Sequence, residues 1–136
     1  MHRHRVLLLE DEPELAELLI ELLADLSYEV ERAATMSEAL SSLSKSTPCA
    51  IVADLTLPDV ARADVVTRLR TRSKGASIVL MSAISSQDLE ALGKREGVDG
   101  VIAKPFDLEH FERSIVLACR HEAREEAESE AEQQNV

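Results

Sequence analysis

Four short, almost purely apolar runs recur along the chain, and each closes on a charged or hydroxyl-bearing residue. Val6-Leu7-Leu8-Leu9 ends at Glu10-Asp11, and Ala50-Ile51-Val52-Ala53 ends at Asp54. Ser77-Ile78-Val79-Leu80-Met81 ends at Ser82, and Val101-Ile102-Ala103 ends at Lys104. Apolarity without alternation marks strands buried on both faces, the pattern of a parallel sheet covered by helices. Few folds satisfy that constraint in so short a chain.

The stretches between the runs carry apolar residues at helical spacing. Pro13 suits a first helical turn, and Leu15, Leu18, Leu19, Leu22 and Leu23 follow as an amphipathic stripe. Weak alternation from Tyr28 to Arg32 predicts a short, more exposed strand. Thr35-Met36-Ser37-Glu38 matches a capping box for a second helix striped by Ala39, Leu40 and Leu43, ended by Ser46-Thr47-Pro48. A third helix runs through Val65, Val66 and Leu69 to the basic Arg68, Arg70 and Arg72, which complement its dipole. Ser85 or Ser86 caps a fourth helix bearing Leu89 and Leu92, and Gly97-Val98-Asp99-Gly100 is a turn. Asp107 caps a last helix with Leu108, Phe111, Ile115 and either Leu117 or Ala118 on its inner side. Strand and helix alternate five times. The expected architecture is α/β and doubly wound, a five-stranded parallel sheet with right-handed crossovers and helices on both faces.

At 136 residues the chain suits one domain, assigned to residues 1–120, with an acidic extension over 121–136. The net charge of −11 argues against a nucleic-acid surface or an anionic membrane as partner, although residues 121–136, with six Glu and one Arg, supply −5 of it. No apolar run reaches the roughly 18–20 residues that span a bilayer, and Met1-His2-Arg3-His4-Arg5 does not open a signal peptide. Cys49 and Cys119 show neither metal-ligand spacing nor a disulfide framework, and read as reduced, half-buried thiols in a cytoplasmic protein. His2, His4, His110 and His121 lack neighbouring ligands in sequence and read as exposed.

In a parallel sheet all strand carboxyl ends lie along one edge, so Glu10, Asp11, Asp54, Ser82 and Lys104 are expected to converge. Three carboxylates together repel unless a cation sits among them. A hard divalent ion such as Mg2+ suits oxygen donors, and a lysine and a hydroxyl beside it suit a phosphoryl group. The pattern points to phosphoryl transfer onto Asp54.

The segments Val6 to Leu15, Ala53-Asp54-Leu55-Thr56-Leu57-Pro58-Asp59, Met81-Ser82-Ala83 and Ala103-Lys104-Pro105-Phe106-Asp107 together resemble the receiver domain of bacterial two-component response regulators, over residues 5 to about 120. The resemblance implies a flavodoxin-like (βα)5 fold in which Asp54 accepts a phosphoryl group from the phosphohistidine of a sensor histidine kinase or phosphotransfer protein. It implies that Glu10, Asp11, Asp54 and the main-chain carbonyl of Thr56 hold Mg2+, that Ser82 is a switch hydroxyl, and that Lys104 holds the anion and precedes a cis-proline. The domain is then a self-modifying switch with slow autodephosphorylation, not a turnover enzyme. It is expected to stand alone and to signal by phosphorylation-dependent contact with a downstream output protein, and a homodimer stays open.

Three positions depart from the family, the least weighty being Glu10, which extends further than the Asp often found there. Val101 stands where an aromatic is usual, and Val60-Ala61-Arg62-Ala63 lacks the usual glycine. These motivate an alternative, a receiver-fold binding module that acts independently of phosphorylation. An aspartyl-phosphate hydrolase is a weaker rival, because Thr56 stands where its motif needs an acid. A flavin-binding flavodoxin is weaker still, because acids follow the first strand.

Overall fold

The computed structural model describes residues 4–73 and 75–119. Strand and helix alternate as β1 (Arg5–Leu9), α1 (Pro13–Asp25), β2 (Glu29–Ala33), α2 (Met36–Leu43), β3 (Ala50–Asp54), α3 (Val65–Arg72), β4 (Ser77–Ser82), α4 (Ser86–Glu96) and β5 (Gly100–Ala103). A 3-10 turn at Arg62–Asp64 leads into α3, and a last helix, α5, spans 108–119. The five strands pair in parallel in the order β2-β1-β3-β4-β5. From β1 the chain winds outward to β2, then returns past β1 and winds the other way. That reversal opens a crevice beyond the carboxyl ends of β1 and β3, where doubly wound sheets take their ligands.

Strand side chains alternate between two apolar layers. Leu7, Leu9, Ile51, Ala53, Ile78 and Leu80 pack with Met36, Leu43, Val65, Leu69 and Leu89 of α2, α3 and α4. Val6, Leu8, Val52, Val79, Met81 and Ile102 pack on the other face with Leu19 and Leu23 of α1 and Phe111 and Ile115 of α5. Every residue of β3 and β4 is buried, which is why their runs read as continuous apolarity. At the sheet edge, β2 keeps only Ala33 fully buried.

Capping follows local chemistry. Thr35 Oγ1 accepts from Glu38 N at 3.1 Å, while Glu38 Oε2 reaches back to Ala34 N at 2.8 Å, one residue earlier than a standard capping box. Ser85, rather than Ser86, caps α4 by accepting from Asp88 N at 3.1 Å. Gly97 ends α4 at φ 66°, a conformation glycine adopts without a Cβ clash. Asp107 caps α5 by accepting from His110 N at 2.7 Å. The loop from Pro58 to Ala61 has no positive φ, so the missing glycine deprives it of nothing.

Two leucines expected inside lie outside: Leu18 and Leu108 are 46% and 41% exposed, whereas Ala16 and Cys119 are buried. Of the alternatives Leu117 and Ala118, Ala118 is the inner one and Leu117 is 65% exposed. Each helix touches the sheet along a narrow line, and the smaller residues occupy it where helix and strand approach most closely. His4 is exposed as expected, but His110 is half-buried. His2, His121 and the acidic extension over 121–136 lie outside the described residues. Among the described residues no helix is long and apolar enough to cross a membrane.

Phe111 fills the layer between α1 and α5 at 0% exposure, so Phe111→Ala is expected to cost about 3–5 kcal/mol in urea denaturation. Leu117→Ala on the same helix is expected to stay within about 0.5 kcal/mol of wild type.

Candidate functional site

The backbone at the sheet's carboxyl edge is tied from strand to strand before any side chain is considered. Glu10 N donates to Ala33 O at 3.0 Å, Leu55 N to Met81 O at 2.9 Å, and Lys104 N to Ser82 O at 2.7 Å. Glu10, Asp54 and Lys104 therefore leave three strand ends from fixed positions. Lys104 Nζ donates to Asp54 Oδ2 at 2.5 Å and to Glu10 Oε1 at 3.0 Å, joining residues 50 and 94 apart in sequence. Asp54 Oδ1 accepts from Thr56 N at 2.7 Å. Arg32, at the end of the neighbouring β2, donates from Nε to Glu10 O at 3.2 Å and from Nη2 to Asp11 O at 3.4 Å. Its guanidinium clamps the acidic turn from behind.

Burial sets the electrostatics. Glu10 is fully buried, and desolvation, with the Asp54 carboxyl beside it, pushes its pKa up to about 7 against the pull of Lys104. Burial also opposes ionisation of Asp54, but Glu10, Lys104 and the Thr56 N–H favour its anion and hold its pKa below the ordinary value. Burial works against the Lys104 ammonium too, and the two carboxylates outweigh it, so its pKa is raised. The site thus keeps Asp54 anionic and Lys104 cationic, with Glu10 near its titration point.

The carboxylates of Glu10, Asp11 and Asp54 each place an oxygen within 4.8 Å of the other two. Among the described residues Glu10 Oε2 is buried without a hydrogen-bond partner. An orphaned buried oxygen beside two further carboxylates is the donor set a hard divalent cation requires. Asp11 is exposed and offers that cation a route from solvent.

Ser82 joins this edge by backbone and not by hydroxyl. Its side chain is buried, and its Oγ accepts from Ile84 N at 3.2 Å. Thr56 is exposed and touches the site through its N–H. The Lys104–Pro105 peptide is cis. Two contributors were missed in the sequence. Arg32 carried no signal, since its role is to donate to the carbonyls of Glu10 and Asp11 beyond the neighbouring strand. Asp59 stands out in sequence only as the end of the Asp54 segment, yet its Oδ1 and Oδ2 accept from Met36 N (2.8 Å) and Ser37 N (3.0 Å), so that it caps α2 from the loop after Asp54.

A family model for the response regulator receiver domain matches residues 6–116. The chain belongs to this family. It is 35% identical over 104 residues to the transcriptional regulatory protein PrrA of Mycobacterium tuberculosis, covering 76% of this chain and 45% of that one. This receiver domain spans about half the length of the curated relatives it matches. Among solved structures it resembles the non-phosphorylated receiver domain of HemR from Leptospira biflexa, with TM-score 0.77, 30% identity, and coverage of 86% of this chain and 94% of that one. It also resembles the response regulator TrrA from Thermotoga maritima, solved in complex with Mg2+-BeF, with TM-score 0.73, 26% identity, and coverage of 85% and 98%. Receiver domains are phosphoacceptor switches of two-component systems. They bind Mg2+ at an acidic pocket and interact with histidine kinases and output domains.

The buried Glu10 generates a pH dependence with a definite sign. Between its ordinary 4.5 and about 7 the folded chain alone holds the proton, so metal-free stability falls as pH rises through that window. The slope is at most about 1.4 kcal/mol per pH unit. Glu10→Gln, with no proton to lose, is expected to gain stability over wild type in this window, read by urea denaturation in chelator.

Proposed function

We propose that this receiver domain accepts a phosphoryl group on Asp54 from a histidine kinase or phosphotransfer protein, and that Glu10, Asp11, Asp54 and the Thr56 carbonyl hold the Mg2+ this requires. The observation that carries the reading is the pair of buried carboxylates, Glu10 and Asp54, bridged by the half-buried Lys104, with an orphan oxygen beside Asp11. Asp54, kept anionic, attacks phosphorus in line. An O–P bond forms as the P–N bond of the donor phosphohistidine breaks, and the imidazole leaves with the electron pair. The Lys104 ammonium, already against Asp54, neutralises charge on the incoming phosphoryl oxygens. When bound, Mg2+ supplies further neutralisation of the carboxylates and the phosphoryl group. Ser82 turns from Ile84 N to a phosphoryl oxygen, and this exchange reports the modified state to the loop before α4. Hydrolysis later frees Asp54, so the protein is a switch acting in the cytoplasm and not a turnover enzyme.

Transfer needs a docking surface beside the acid. Leu15, Leu18, Phe106 and Leu108 line a groove of about 390 Å3 that reaches Lys104 and Pro105. Its apolar walls suit a helical partner presenting its histidine to Asp54.

One observation favours a second reading, a binding module that acts without phosphorylation. A Cβ at Gly93 would lie 2.7 Å from Val101 Cγ1, so α4 sits tightly on a β5 valine that has no ring to swing. Unchanged partner binding between the unmodified and beryllofluoride-loaded protein would favour it.

Incubation with acetyl phosphate and Mg2+ is expected to add one phosphoryl group by intact mass, and Asp54→Ala or a chelator to prevent it. No adduct under any condition overturns the proposal. Mg2+ must displace the Glu10 proton, so its apparent affinity is expected to be weaker at pH 6 than at pH 8, measured by titration with proton release. Leu18→Glu is expected to slow transfer from the kinase at least about tenfold, the loss when a charge enters an apolar contact. Acetyl phosphate, which needs no docking, is expected to react as before.

A further inference from the structure

At the sheet edge opposite Asp54, three residues remote in sequence come together. His4 immediately precedes β1, Cys49 immediately precedes β3, and Cys119 is the last described residue of α5. A ring nitrogen of His4 and the two Sγ atoms all lie within 4.8 Å of one another. The backbones that carry them are pinned. His4 O accepts from Glu29 N at 2.9 Å, and Cys49 N donates to Arg5 O at 2.8 Å while its carbonyl accepts from Ser77 N at 3.2 Å. Ser77 Oγ in turn donates to Ala118 O at 3.1 Å, which fixes the turn of α5 where Cys119 sits. The His4 ring packs against Tyr28 with centroids 5.9 Å apart. Exposure is graded across the cluster, with Cys119 buried, Cys49 half-buried and His4 exposed.

Cysteines commonly serve as small core hydrophobes, and that role accounts for Cys119 alone. It does not account for a second thiol and a surface imidazole meeting it from the starts of two different strands. We propose that His4, Cys49 and Cys119 form a zinc-binding site distinct from the acidic cluster. Thiolate and imidazole are the donors Zn2+ takes in tetrahedral sites, and they discriminate against Mg2+, which prefers oxygen. With Zn–S of about 2.3 Å and Zn–N of about 2.0 Å, neighbouring ligand atoms lie about 3.5–3.8 Å apart. Small rotations of the exposed imidazole and the Cys49 side chain reach that spacing. Binding forms two Zn–S bonds and one Zn–N bond and releases the two thiol protons to solvent, with no change of oxidation state. Water or another donor would complete the tetrahedron. The ion ties the starts of β1 and β3 to α5, about 15 Å along β3 from Asp54.

The test uses the full chain, reduced, with excess Mg2+ present. One equivalent of Co2+ is expected to produce thiolate-to-cobalt charge transfer and the visible bands of a tetrahedral centre, and Zn2+ to erase them. About two protons should be released per metal at neutral pH. Cys49→Ala is expected to abolish the charge-transfer band. His4→Ala, a surface change that leaves the core untouched, is expected to weaken Zn2+ binding at least about tenfold. Asp11→Ala, which alters only the acidic cluster, is expected to keep the cobalt spectrum. The proposal is overturned by absence of the band in wild type, by its survival in Cys49→Ala, or by unchanged Zn2+ affinity in His4→Ala. It is equally overturned if the two thiols only close to a disulfide in air and the reduced protein takes up no metal.

Discussion

A lysine ammonium lodged between two buried carboxylates is the interaction on which this structure turns. Lys104, Glu10 and Asp54 leave the ends of β5, β1 and β3, and their contacts span the middle of the sheet. Removing ions from water is costly, and a buried group left without its counter-charge is strongly destabilising. The cluster therefore constrains everything around it. The ladder must hold three strand ends in register, the apolar layers must keep the sheet stiff, and Arg32 must secure the turn that carries Glu10 and Asp11.

The charge count in the cluster is deliberately unbalanced. One ammonium faces two buried carboxyls, with Asp11 a third at the rim. Protonation of Glu10 near pH 7 relieves the excess in the metal-free protein, and a divalent cation relieves it more completely. Any divalent cation taken by these oxygens has to displace that proton. Asp59 links this chemistry to the scaffold, because the loop that follows Asp54 also caps α2.

The two ends of the sheet present opposite chemistry. At the carboxyl edge three carboxylates meet an ammonium, with the Arg32 guanidinium behind them, which suits hard cations and phosphoryl groups. At the amino edge sulfur and imidazole converge, which suits soft cations. Side surfaces differ as well. An apolar groove flanks Lys104, whereas α4 lies close on β5 because Gly93 has no side chain to hold it away from Val101. That face is tightly packed around Val101, which has no ring to swing.

Much of this was legible in the residues. Runs such as Ile51-Val52-Ala53 and Val79-Leu80-Met81 must be buried on both faces, so the sequence alone determined a helix-covered parallel sheet. Because parallel strands end on one edge, it also determined that Glu10, Asp11, Asp54, Ser82 and Lys104 would lie together. Thr35, Ser85 and Asp107 declared their helix starts because capping is local. What depended on packing between elements was decided only by the tertiary structure. Leu18 and Leu108 fit an apolar pattern yet face outward, and packing chose Ala118 over Leu117 where the sequence left both open. The Ser82 hydroxyl engages Ile84 N rather than the acids. Arg32 and Asp59 found partners more than twenty residues away along the chain. His4, Cys49 and Cys119 have no motif spacing at all, and only the folding of two strand starts and a helix to one place makes them neighbours. Periodicity and capping act over a few residues and can be read from them, whereas long-range convergence exists only once the elements have packed.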